Sequence, residues 1–437
     1  MRDRARSSPP PRTARSTFAA PAPADPEDHP RNADVCVVGA GVMGAWTAFW
    51  AQAGGAGPDE RWGGDRSVTL LDAWGAGHLR ATSSDEHRII RSAHGTDRFY
   101  ARWSRRALRH WQRFEEEWEI PLFHESGVLW FSAGDTSWET DSESTLRSLG
   151  IPVERLDPSM IAARWPVIDP AGAAFGVFEP EAGFLMARRG VAATVAAFQR
   201  AGGRYSLAAV RPGRSAGGRL LDVIDQAGRH WSAGSFVFAA GPWLPKLFPD
   251  VVGDLVTVTR QPVFYMGPAE GDPRWRWSVL PAWSDDAGGC YGIPSVDERG
   301  FKIGLERVGP RFDPSNGERM ADPDDLRLAR AYLRRRFPEI AGRPVLETRV
   351  CQYESTPDRH FLIDRHPAWD NAWIVGGGSG HGFKHGPCIG EHVVGRLEGV
   401  PGGADGDDED RFRLGPRVAT RGPHLSSEAL AESWPLF

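Results

Sequence analysis

The chain has 437 residues and a formal net charge of -5, with 41% of its residues apolar and 25% charged. This balance suits a soluble protein of two or three domains and excludes a general nucleic-acid binder, whose affinity comes from neutralising phosphates with a basic face. Four scattered cysteines without a CxxC pair imply neither a zinc site nor a dense disulfide framework, and no apolar run reaches the roughly 18 residues of a membrane helix. The expectation is small-molecule chemistry in a reducing cytoplasm, with no metal, nucleic-acid or membrane partner.

Residues 1–33, rich in Pro, Arg and Ala, lack the apolar core of a secretory signal and read as a disordered tail. Order begins at "ADVCVVGAGVMGAWTAFWAQAGG", where a β-branched run from Val35 to Val38 enters a glycine turn. Val42, Ala45, Trp46, Phe49 and Trp50 then recur at helical spacing. A polar insert, "GAGPDERWGGDR", precedes a second strand, "SVTLLD", which ends at Asp72. Gly39, Gly41 and Gly44 therefore form G-x-G-x-x-G between a strand and a helix, the setting in which a pyrophosphate meets the helix N-terminus. Asp72 is placed to accept from ribose hydroxyls, and the insert explains why it lies beyond the usual spacing of about 20 residues. These residues predict a dinucleotide and leave NAD and FAD open.

Helical patterns follow at Tyr100 to Glu119, Val191 to Ala201 and Asp324 to Phe337, the last with Asp322 as cap and Pro323 in its first turn. Arg334 to Arg336 read as a solvated face. Strand-like segments "SGVLWFS", "GSFVFAAG", "TVTRQPVFYM" and "GFKIGLE" lie between them, and a helix is expected from Pro387 to Leu397. The predicted fold is α/β with an α+β second domain: a Rossmann-like nucleotide domain (34–100, 181–250 and 345–400) interrupted by an antiparallel-sheet substrate domain (101–180 and 251–344), with residues 401–437 as a C-terminal tail.

"FVFAAGPWLP" (Phe236 to Pro245) resembles the second nucleotide-contacting segment of FAD-binding oxidoreductases. Four more segments make the likeness specific: "SSDEHRIIRSAHG" (Ser83 to Gly95), "YGIPSVDERGFKIGLE" (Tyr291 to Glu306), "CQYESTPDRHFLIDRHP" (Cys351 to Pro367) and "GGGSGHGFKHGPCIGE" (Gly376 to Glu391). In this order the chain, from about Asp34 to about Gly399, resembles the monomeric sarcosine oxidase and N-methyltryptophan oxidase group of the D-amino-acid-oxidase-like flavoproteins.

The resemblance implies FAD, joined through a thioether to Cys351; read alone, that cysteine is a small buried hydrophobe. It places Ser83, Ser84, Gly380, His381, Gly382 and Lys384 at the cofactor, Arg88 against the flavin ring and Arg91 in the substrate pocket. Arg88 and Arg91, three apart, read as neighbours on a helix turn. With Lys384, Arg91 would clamp a carboxylate. Tyr291 and Tyr353 match pocket tyrosines, and His381 reads as a loop hydrogen-bonder. The lysine matching Lys302 lies over the flavin in the family, whereas Phe301-Lys302-Ile303 by itself also fits a half-buried strand with its lysine in water.

Two departures stand out. Ser83 and Ser84 replace the group's adjacent histidines, and Glu306 stands where it has a histidine. A carboxylate there favours a cationic or hydrogen-bond-donating substrate over plain sarcosine. The implied activity is oxidation of a C–N bond in a secondary, N-methyl or cyclic amino acid, with dioxygen reduced to hydrogen peroxide, by a monomer. The rivals are a dehydrogenase of the same fold with another electron acceptor, and a flavin subunit of a larger complex.

Overall fold

A computed structural model describes residues 32–53, 66–400 and 409–419. The tail 1–31, most of the polar insert and most of residues 401–437 lie outside them. Two large sheets organise the described residues. In the first, Asn32–Val38 runs parallel between Val68–Asp72 and His230–Phe238, and the parallel set extends to Arg204–Leu207 on one side and Ala372–Gly376 on the other. Register pairs Val37 with Leu70 and with Val237, so fully buried apolar side chains line the sheet interior. Parallel strands buried on both faces need such continuous apolar runs, which is why VCVV and FVF read so clearly.

Helices Val42–Ala53 and Gly386–Leu397 pack on this sheet beside Arg98–Trp118, and an aromatic cluster of Trp46, Phe49, Trp50, Trp111 and Phe114 joins them. Asp97 caps the 98–118 helix by accepting from Tyr100 N, and Glu119 ends it in the left-handed region at φ 54°. Chain order assigns this helix to the substrate domain, yet its apolar stripe packs into the nucleotide-domain core.

The second sheet is antiparallel apart from one pairing, and runs in the order Val345–Ser355, Thr257–Met266, Phe301–Leu305, Cys290–Ile293, Ala282–Asp285, Val128–Ser132, Phe175–Glu179, Glu154–Leu156. Val345–Ser355, which the sequence reading gives to the nucleotide domain, thus forms an edge of the substrate-domain sheet and carries Cys351 opposite Gln261. A nucleotide domain with a second, largely antiparallel domain is the predicted class.

Two local expectations are corrected. Arg88 lies on a strand, His87–Ile90, not on a helix turn; a four-residue HRII run has no room to display a period. Arg336 is not on a solvated face: it is buried, with Nη2 on Asp285 at 3.1 Å and its guanidinium over Phe131, while Arg334 and Arg335 are exposed. No described helix is long and apolar enough to cross a membrane.

Candidate active site

The carboxyl ends of the parallel strands open into a cleft with about 1360 Å³ of atom-free space, the expected position for a ligand of a doubly wound sheet. Gly39 and Gly41 line it. Gly39 sits at φ 107°, and a Cβ there would lie 2.3 Å from Ala239 O; a Cβ on Gly44 would lie 1.9 Å from Gly39 O. Side chains are thus excluded where strand, turn and helix close up. A Cβ on Gly41 would meet only Ser83 Oγ, at 3.6 Å, so this stretch of backbone stays open to the cleft.

Asp72 shapes the turn as well as lining the cleft. Its Oδ2 accepts from Ala40 N at 2.7 Å and its Oδ1 from Trp74 N and Gly75 N at 2.8 and 2.7 Å. Three accepted bonds leave a carboxylate one lone-pair site for a ligand hydroxyl. Ser83 Oγ takes the Val42 N–H at 3.1 Å, whereas Ser84 is buried outside the lining, with its hydroxyl on Leu79 O. Gly380 and Gly382 line the cleft. Open glycine backbone, a carboxylate with spare capacity and a helix N-terminus together fit the expected dinucleotide.

Sequence reasoning missed Glu354 at this cleft. Its Oε2 is buried without a partner among the described residues, and Oε1 only receives Gly378 N at 3.4 Å. Burial pushes this carboxyl up to about 8, with Gly378 N–H opposing weakly. Because the folded pKa is raised, the folded state keeps a proton that the unfolded chain releases, and stability falls as pH rises from about 4.5 to about 8. The expected contribution is about 4–5 kcal/mol over that window. Glu354→Gln should remove most of the decline in denaturant unfolding at pH 5 and pH 8, compared at equal flavin loading. Equal losses in both proteins would show that no such proton is held.

A second pocket, with about 800 Å³ of atom-free space, adjoins the cleft; Arg88, Tyr353, Gly380 and Phe383 line both. Arg91, Tyr291, Glu306 and Lys384 face it, so with Arg88 and Tyr353 six of the residues expected at the flavin ring or in the substrate pocket converge, and His381 lies beside them. Arg91 donates to Ala93 O and lies 5.1 Å from the Trp130 ring centroid; Glu179, behind it, accepts from Ser92 N and Trp130 Nε1. Lys384 Nζ donates to His381 O at 3.0 Å. Burial, then the charge of Arg91, holds Lys384 well below the usual lysine range, and an anion entering the pocket would favour its charged form.

Two further pocket residues escaped the sequence reading. Arg359 sits at φ 64°, unusual for a residue with a side chain, and donates to Ser379 O at 3.1 Å. Asp286 accepts from Ser284 Oγ at 3.3 Å. Burial, opposed by Arg91, raises Asp286 to about 6; burial and Asp286, opposed by Arg359, raise Glu306 to about 7.

Lys302 and Cys351 are buried beside these cavities without lining either. Lys302 is 0% exposed, which removes the solvated-strand alternative: its ammonium bonds Asp85 Oδ2 and, at 3.1 Å, His87 O. Asp85, unremarked in SSDEHR, also accepts from Arg88 Nη1 at 2.8 Å and Tyr265 Oη at 2.7 Å. Burial alone would raise this carboxyl, but Lys302 and Arg88 hold it well below the carboxylate range. Cys351 Sγ accepts from Arg88 Nη2 at 3.0 Å, so Arg88 ties the acid to the thiol at the wall between the cavities. Cys36 is core, its thiol pushed up to about 12 by burial.

The chain is 29% identical over 371 residues to monomeric sarcosine oxidase from Streptomyces avermitilis, covering 83% of this chain and 92% of that one. It is 26% identical over 364 residues to N-methyl-L-tryptophan oxidase from Salmonella heidelberg, covering 82% and 92%. Its fold matches the crystal structure of L-proline dehydrogenase from P. horikoshii with a TM-score of 0.73 at 19% identity, over 86% of this chain and 96% of that one. The resemblance expected from the motifs is borne out. Residues 34–396 match the model of the FAD dependent oxidoreductase family DAO, and the chain belongs to that family.

Proposed function

We propose that the chain is an FAD-dependent amine oxidase acting on the C–N bond of a secondary, N-methyl or cyclic amino acid. The observation that carries this is the pocket holding Arg91 and Lys384 directly across Arg88 and Tyr353 from a dinucleotide cleft. The relatives named sarcosine oxidase and N-methyl-L-tryptophan oxidase support the substrate class.

Gly39, Gly41, Asp72, Ser83, Arg88 and the 378–382 turn would hold FAD, and Glu354, whose carboxyl burial pushes up to about 8, can donate to it in its protonated form. Bound there, FAD supplies the acceptor for the electrons of the C–H bond beside the amine nitrogen. Arg91 and Lys384 grip the substrate carboxylate and so fix which C–H faces the cleft. The same cations, with Arg359, disfavour a second positive charge close by, and so favour the neutral amine whose lone pair the reaction needs. Asp286 and Glu306 form an acidic side to the pocket and select substrates with a hydrogen-bond-donating or cationic group away from the carboxylate. The imine product hydrolyses or cyclises on release, and dioxygen receives the electrons as hydrogen peroxide. Peroxide release by purified protein, screened over amino acids, N-methyl amino acids and cyclic imino acids, tests the reading; substrate-dependent flavin bleaching without peroxide would replace it with a dehydrogenase. The pairing of Lys302 with Asp85, outside the cleft lining, is the observation that keeps that second reading in play.

If Arg91 and Lys384 grip a carboxylate, Arg91→Met should weaken binding of carboxylated substrates by about 1.5–3 kcal/mol, the range for hydrogen bonds to charged groups. Amines lacking the carboxylate should be nearly indifferent. Equal losses for both classes in substrate-dependent flavin reduction would remove Arg91 from the clamp.

Covalent attachment of FAD to Cys351 belongs to the same reading, supported by the thiol's place beside Arg88 and Thr82 at the cleft wall. Acid-precipitated, washed protein is expected to stay yellow, with an intact mass above the polypeptide's by one FAD. Cys351→Ala should give a colourless pellet; a colourless pellet from flavin-loaded wild type would exclude the bond.

A further inference from the structure

At the edge of the substrate pocket, which His381 lines, three imidazoles converge that the proposed chemistry does not use. The ligand nitrogens of His94, His381 and His385 all lie within 4.8 Å of one another. Two of the rings have their hydrogens fixed by neighbours that can only accept: His94 Nδ1 faces Ser92 O at 3.1 Å, and His381 Nε2 faces Arg359 O at 3.0 Å. In a neutral imidazole the other nitrogen is then a bare lone pair. Those nitrogens, His94 Nε2 and His381 Nδ1, are buried without partners, as are both nitrogens of His385. His385 in its neutral form has a single N–H to offer, so the cluster cannot satisfy itself.

We propose that His94 Nε2, His381 Nδ1 and one ring nitrogen of His385 bind a divalent transition metal of zinc-like softness. Three neutral imidazoles suit such an ion, and backbone carbonyls on the far nitrogens of two of them are the usual support for a metal-bound histidine. Tyr100 and Phe361 close an aromatic wall around the cluster, with the Tyr100 centroid 5.6, 5.1 and 5.4 Å from those of His94, His381 and His385. Burial, reinforced by nearby cations, holds all three rings well below the usual histidine range. Arg91, Arg359 and Lys384 oppose a further cation, and Glu306 and Asp286 in the same pocket, with Glu179 behind Arg91, offset them. Zinc–nitrogen bonds of about 2.0–2.1 Å require ligand atoms about 3.4 Å apart, so the rings must draw inward.

The placement gives the ion a role. His94 lies three residues past Arg91, and His381 and His385 flank Lys384. A metal on these rings would pin the two segments that carry the proposed carboxylate clamp to each other.

The test uses the flavin-loaded protein, stripped with a chelator, exposed to micromolar zinc chloride alone and desalted. Elemental analysis is expected to find about one zinc per chain in wild type and less than a tenth of that in His94→Phe and His385→Phe, with zinc raising the melting temperature of wild type only. Copper(II) substitution should give an electron paramagnetic resonance spectrum with hyperfine coupling to imidazole nitrogens, a readout that needs no variant to fold. No retained zinc in wild type, equal zinc in wild type and variants, or copper without imidazole coupling would overturn the site. None of these measurements involves turnover, so a wrong substrate class would leave them unchanged.

Discussion

Asp85→Ala is expected to destabilise the protein by about 3–5 kcal/mol, the cost of breaking a buried ion pair and leaving its partner uncompensated. The stranded partner is Lys302, which is 0% exposed and whose one other hydrogen-bond acceptor among the described residues is His87 O. Arg88 would also lose one of its anchors, and Tyr265 its acceptor. Removing both charges together, as Asp85→Leu with Lys302→Met, should cost much less than Asp85→Ala, because no lone charge then remains in the core. The pH dependence carries a second signature. The folded-state pKa of Asp85 is depressed, so its contribution is complete above the unfolded value near 4 and is lost as pH falls below it. Denaturant unfolding at pH 4 and pH 2 should therefore show wild type losing stability on acidification that the double variant, with no Asp85 carboxylate to protonate, does not lose. A single-variant loss below about 1 kcal/mol would mean that water reaches Lys302 and that the cluster is not the buried network described.

The parts of this site legible in sequence were those written in glycine and in apolar runs. Gly39 and Gly44 announce themselves because no other residue fits beside Ala239 O or Gly39 O, Gly41 belongs to the same motif and keeps the backbone open to the cleft, and the strands around them need unbroken Val, Leu and Phe. Asp85 was invisible for the opposite reason. An Asp-Glu pair after two serines reads as loop, and the partners of Asp85 lie 180 and 217 residues away at Tyr265 and Lys302. Arg359 and Asp286 were hidden likewise, since only the fold brings their loops to the Arg91 pocket. The helix 98–118 shows a different limit: its amphipathic stripe was plain, but a stripe does not name the core it packs against. Lys302 was the sharpest ambiguity. Alternation on the strand fixed which face it takes and not whether that face meets water, an acid or a cofactor.

Lys302→Met is also expected to separate the two halves of the catalytic cycle. Asp85 carries one negative charge between the two cations Lys302 and Arg88, so the cluster has one net positive charge close to the wall shared by the two cavities. Removing Lys302 brings that net charge to zero while leaving Asp85 still paired with Arg88, which makes the change far milder for folding than Asp85→Ala. Substrate positioning depends in this reading on Arg91 and Lys384, which the substitution does not touch. Anaerobic mixing with substrate should therefore bleach the flavin within about tenfold of the wild-type rate, a barrier change of roughly 1.4 kcal/mol. Reaction of the reduced protein with dioxygen is different, because negative charge appears on oxygen as the first electron arrives and a fixed cation stabilises it at no reorganisation cost. Reoxidation should slow by more than about a hundredfold, or roughly 2.7 kcal/mol. A lysine committed wholly to Asp85 would give the reverse outcome, reoxidation as fast as wild type, and the electrons would then be expected to leave for an acceptor other than oxygen.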